Sequence, residues 1–171
     1  MEEKRYNGVE YEPTMAAEPV LVSSVTPFDT VIRYLHSNNL NIDIKRAVYR
    51  QLQLEVADEN LGNMKRRIKE IENLQYGWDG ENAMPVNRDT IEMIRQVLKK
   101  ARPSDLSDWS VSPNVNGTIL LELDDAAISI ASKEFSYYAE RGERYMESEH
   151  QKCSVDALIE TIRRINTFMQ E

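Results

Sequence analysis

His150 and Cys153 stand three residues apart beside Glu147 and Glu149, so this short stretch offers an imidazole, a thiolate and two carboxylates to a metal ion. Zinc sites normally draw on a second ligand pair, and Cys153 is the only cysteine in the chain. The expectation is a surface turn before a Ser154 helix cap, with no metal and with Cys153 packing as a small apolar residue. Nucleophilic catalysis would need a base beside a Ser, Thr or Cys. His36 and His150 are the two histidines, and neither sits in a recognisable triad signature.

A second candidate is the loop LQYGWDGENAMPV, residues 74–86. Trp78 could stack on a sugar or base, and Asp79, Glu81 and Asn82 carry oxygen ligands, but the remaining positions of a calcium loop are missing. Gly77 and Gly80 belong to no phosphate-cradling pattern after a strand, so no cofactor is expected. Trp78, Asp79 and Glu81 stand as the ligand or partner candidates. The simplest reading of the loop is a structural elbow. Gly77 and Gly80 permit tight geometry, Trp78 packs inward, Asp79 accepts nearby N–H groups as in an Asx-turn, and Pro85 steers into the next helix.

The elements that must position these side chains read as follows. Residues 1–25 form a flexible segment with one strand-prone run at 19–25. Residues 26–75 form a helical region that opens with a short helix carrying Phe28, Val31, Ile32 and Leu35. From about residue 41 to 75 runs the strongest periodic signal, with Ala47, Leu54, Ala57, Leu61, Met64, Ile68 and Ile71 in one heptad register broken only by Arg50. Ile44, Val48, Leu52 and Val56 widen that apolar surface beyond what one partner helix covers. Leu54, Ala57, Leu61, Met64 and Ile68 are therefore expected to form a homodimer interface, and Gly62 is the point where the helix is most at risk of breaking.

Residues 76–171 read as an α+β domain. Asn87 caps a helix ended by Pro103; Asn116-Gly117 suggests a type I′ hairpin turn; alternating apolar residues from Ile119 to Tyr137 mark strands; and Ser154 caps a last helix. The expected architecture is α+β: N-terminal helices, including the long one, then a helix, an antiparallel meander of three to four strands and a C-terminal helix.

A net charge of −8 disfavours nucleic acid and anionic membranes as general partners. Two basic clusters, at Lys65-Arg66-Arg67 with Lys69 and at Arg95 to Arg102, come with no recognised nucleic-acid-binding pattern. Acidic residues gather in the sheet region, where they would attract a basic partner. No apolar run approaches the roughly 20 residues that span a bilayer, and the N-terminus lacks a signal-peptide core. A cytoplasmic protein is expected.

Gly77-Trp78-Asp79-Gly80 with Ala83 and Pro85, then a helix, then Pro113 and Gly117 leading into Ile119 to Glu122, resembles a widespread group of small bacterial proteins. That group carries a G-W-D-G/S-x-x-A-x-P loop, a helix and a P-x-x-x-G-x-I-x-L-E hairpin. The resemblance covers about residues 74–140, implies an α+β module and supplies no catalytic residue to carry over. This chain has Glu81-Asn82 where an aromatic-glycine pair is frequent in the group. The functional expectation is a non-enzymatic protein-interaction module, regulatory or antitoxin- or immunity-like, that pairs with itself or another protein. The alternative is a small-molecule-binding protein or hydrolase built on the loop.

Overall fold

The computed structural model describes Val31, Arg33 and residues 41–80 and 82–171. The chain divides into two compact units, Met1–Asn39 and Leu40–Glu171. In the first, Val31 and Arg33 are helical, and the rest of the short helix expected there, with the strand-prone run at 19–25, lies outside the described residues. Among the described residues no helix is long and apolar enough to cross a membrane.

The second unit opens with α1, Ile42–Glu72, one unbroken 31-residue helix. Asn41 starts it by accepting a hydrogen bond from the Asp43 N–H at 2.8 Å, satisfying one of the free donors of the first turn. Gly62 does not break it. Its side-chain position is open, and the helix around it is held by packing of Leu61, Met64, Ile68 and Ile71 into the core. Helix α2, Arg88–Lys100, is capped by Asn87, whose Oδ1 accepts from Asp89 N–H at 2.8 Å. Pro103 then forces a change of path into a single 3₁₀ turn, Pro103–Asp105.

Five strands follow: β1 Ser110–Pro113, β2 Ile119–Leu123, β3 Ala126–Ile130, β4 Glu134–Arg141 and β5 Arg144–Lys152. They pair in chain order, every pair antiparallel. The sheet exceeds the expected three or four strands because the polar run from Arg144 extends through Lys152 as a full edge strand on β4. Helix α3, Val155–Gln170, closes the chain, with Ser154 Oγ accepting from Ala157 N–H.

Alternation decides which sheet face is inside. Ile119, Leu121, Ile128, Ile130, Phe135 and Tyr137 are buried, whereas Glu122, Ser129, Ser136 and Tyr138 lie on the opposite, polar face. One core joins the inner sheet face to the apolar stripes of α2 and α3 and to the rear of α1, where Leu61, Met64, Ile68 and Ile71 lie. The sheet is therefore covered by helices on one side only.

The hairpin turn differs from the sequence expectation. The β1–β2 connection is a five-residue loop closed by Asn114 N–H to Thr118 C=O at 2.9 Å and by Gly117 N–H to Asn114 C=O at 2.9 Å. Gly117 has φ +82°, but Asn116 does not share the positive φ that a type I′ turn requires at both central residues. Asn116 instead uses its side-chain carbonyl to accept from the Thr118 N–H at 3.1 Å.

Candidate functional site

The glycine-tryptophan loop is closed mainly by its own backbone. Gly77 N–H donates to Ala83 C=O at 2.8 Å, Ala83 N–H to Gly80 C=O at 3.1 Å, and Gly80 N–H to Gly77 C=O at 3.2 Å. Gly77 at φ +80° and Gly80 at φ +120° take conformations that side chains disfavour, which is the reason the motif spends two glycines here.

The loop then fastens onto the hairpin. Met84 N–H donates to Val115 C=O at 2.8 Å, and a Cβ added to Gly117 would come within 3.1 Å of the Pro85 carbonyl oxygen. Pro85 of the loop motif and Gly117 of the hairpin motif thus belong to one contact. Their spacing in sequence is the spacing needed for α2 to run between them.

Trp78 is half-buried, and its Nε1–H donates to Met84 C=O at 3.0 Å. The expected inward packing is realised more fully by the other tryptophan. Trp109, 2% exposed, is part of the core, and its Nε1–H donates to Asn166 Oδ1 at 2.8 Å. Asp79 is exposed, and its carboxylate accepts no hydrogen bond from another described residue. Glu81, the third candidate and the residue whose N–H an Asx-turn would use, lies outside the described residues.

The possible metal stretch separates in space. His150 sits at an irregularity of the β4–β5 ladder with φ +52°, and its Nδ1 lies 3.0 Å from Glu134 Oε2 on the neighbouring strand. Cys153 packs against the core, and burial pushes its thiol pKa up, away from the reactive thiolate. Among the described residues no three His, Cys, Asp or Glu side chains converge to hold a metal ion.

A polar cluster that sequence reading did not find ties the helices to the sheet. Asp105, 4% exposed, receives Arg102 from its own turn and Arg163 from α3, with closest N–O distances of 2.7 and 2.9 Å. Burial alone would raise the Asp105 pKa, yet the hydrogen bonds from Arg102 and Arg163 hold it below its ordinary value of 3.8. Asn166 Nδ2–H donates to Asp105 C=O at 2.8 Å, and Asn60 of α1 donates to Leu106 C=O at 2.7 Å and Trp109 C=O at 2.9 Å. Every carboxylate contact here is to an arginine or backbone of the fold, so the cluster is a ligature. The Pro103-Ser-Asp turn after a helix was its only local signal; Arg163 and Asn60 are far away in sequence.

Two surfaces remain open. The outer sheet face presents Glu122, Glu140 and Glu147 with Tyr138 and Tyr145, and Tyr138 OH bonds to Glu140. The hydrogen bond with that carboxylate raises the Tyr138 pKa. The other is the front of α1. Of the expected interface residues, Ala57, Leu61, Met64 and Ile68 are already buried within the folded chain, and Leu54 is exposed. On a different side of the helix from Leu54, Ile44 is 52% and Val56 46% exposed, while Val48 and Leu52 are half-buried. A helix end this apolar and this open is unusual for a solvated surface. No protein-family model, curated protein or solved structure matches the chain.

Proposed function

We propose that this protein is a non-enzymatic interaction module of the cytoplasm that self-associates through the front half of α1, residues 42–56, and serves a regulatory, antitoxin- or immunity-like role. The observation that carries the reading is the apolar stripe of Ile44, Val48, Leu52 and Val56. Ile44 and Val56 are exposed and Val48 and Leu52 half-buried, while the rear of the same helix is buried in the domain. Burying such a stripe against a second copy removes apolar area from water at roughly 25 cal/mol per Å². The loop supports a scaffolding role: its hydrogen bonds run to its own backbone and to the hairpin, and Asp79 is held by no described base or acid.

Sedimentation of the full chain at about tens of micromolar tests the reading, a range in which micromolar association registers. The native chain is expected to sediment as a dimer. Ile44→Glu combined with Val56→Glu is expected to give a monomer with unchanged helix and sheet content by circular dichroism, because both side chains are solvent-exposed in the folded chain, and with a melting temperature lower only by what association adds. A native chain that is monomeric throughout that range rejects the proposal.

A further inference from the structure

We propose that two copies of this chain pair antiparallel through the front halves of α1, about a twofold axis beside Leu52. The inference rests on the self-association reading above and adds its geometry. Val48, Leu52 and Val56 recur every four residues and so form one ridge on the helix, with Leu52 in the middle. A twofold axis there sets Leu52 against the second copy's Leu52, and Val48 against the second copy's Val56. Both contacts join apolar side chains that the folded chain leaves exposed or half-exposed.

Charge decides the direction. Lys45 and Glu59 lie seven residues before and after Leu52, close to two helical turns, so both share the side of the helix on which Leu52 stands. Antiparallel pairing brings Lys45 of each copy to the second copy's Glu59. Parallel pairing in register would instead stack Lys45 on Lys45, Glu55 on Glu55 and Glu59 on Glu59. Among the described residues neither Lys45 nor Glu59 has an ion pair within its own chain; the ion pair in this half joins Arg46 to Asp43. Antiparallel pairing also sends the two sheet domains, each attached to the rear of its own α1, to opposite ends of the contact.

Disulfide trapping in the full chain with Cys153→Ser tests the geometry. Leu52→Cys is expected to cross-link with itself under mild oxidation. Val48→Cys and Val56→Cys are expected to stay unlinked alone and to give a mixed disulfide when combined, resolved by a mass tag on one of them. Self-linking by both Val48→Cys and Val56→Cys would establish a parallel pair and overturn the inference. A dimer in sedimentation with no cross-link at any of the three positions also overturns it, while leaving self-association standing. A monomer overturns both. As an independent arm, Lys45→Glu and Glu59→Lys are each expected to weaken the dimer on the order of ten-fold, since each turns two attractions into repulsions. The double variant should recover native affinity, and one no tighter than the single variants counts against the antiparallel pair.

Discussion

The front half of α1 is the more apolar of its two halves and the less buried. In the rear half, Leu61, Met64, Ile68 and Ile71 fall on one side and share a core with α2 and the sheet. In the front half, Ile44, Val48, Leu52 and Val56 fall on a different side of the same cylinder, and the second unit of the chain puts nothing over Ile44 or Val56. Periodicity alone makes the whole helix look like a coiled-coil strand. What separates the halves is the reach of the domain: the sheet, the 3₁₀ turn and α2 lie beside the rear half, where burial begins at Ala57 and side-chain hydrogen bonding to the domain begins at Asn60.

The largest test of that contrast is a matched truncation. Ile68→Ala is expected to cost about 2–5 kcal/mol, the usual penalty for emptying a buried isoleucine site. Ile44→Ala is expected to change monomer stability by no more than about 0.5 kcal/mol, as for exposed positions generally. Chemical denaturation at a protein concentration low enough to hold the chain monomeric measures both, and equal costs would erase the distinction.

Asn60 marks the boundary. Its amide donates to two carbonyls of the 3₁₀–β1 connection, so Asn60→Ala is expected to cost about 1–3 kcal/mol by leaving the Leu106 and Trp109 carbonyls without that donor. A loss below about 0.5 kcal/mol would move the boundary of the packed half further along the helix.

The rear half is also the acid-sensitive one, because it leans on the connection that Asp105 secures. The folded-state pKa of Asp105 is lowered, so its contribution is fully present above the unfolded value near 3.8 and is lost as pH falls through the lower folded value. Denaturation midpoints measured from pH 6 down to pH 2 should fall most steeply below about pH 4. Asp105→Asn should flatten that slope, at the expense of stability at neutral pH.

A small gain is expected at the joint. Gly62 is helical with open space where a Cβ would go, so Gly62→Ala is expected to stabilise the chain by about 0.5–1 kcal/mol through helix propensity alone. A destabilised Gly62→Ala chain would show that the two halves depend on bending at that point.

Much of the architecture could be read locally. Asn41, Asn87 and Ser154 cap the helices as their types predict, because an N-cap needs only a short side chain and the two or three residues after it. The inward face of β2 to β4 follows directly from period-two alternation. The candidate site was legible as far as its backbone: two glycines in unusual φ and a tryptophan N–H bonded to a nearby carbonyl are properties of a few adjacent residues. The hairpin turn departs from the two-residue turn that Asn-Gly favours in isolation, because here Met84 and Pro85, just before α2, contact the loop at Val115 and Gly117.

By itself the amino-acid sequence determined the helix starts, the strand faces, the conformations that demanded glycine and the apolar positions available for burial. Only tertiary structure decided which of those apolar positions would be covered. Burial depends on what arrives from far away in sequence, and no local pattern records that Trp109 would meet Asn166 or that Asp105 would meet Arg163. The same reason explains α1. Its heptads announce an interface, but the approach of the sheet consumes Leu61, Met64 and Ile68 and leaves Ile44, Leu54 and Val56 exposed.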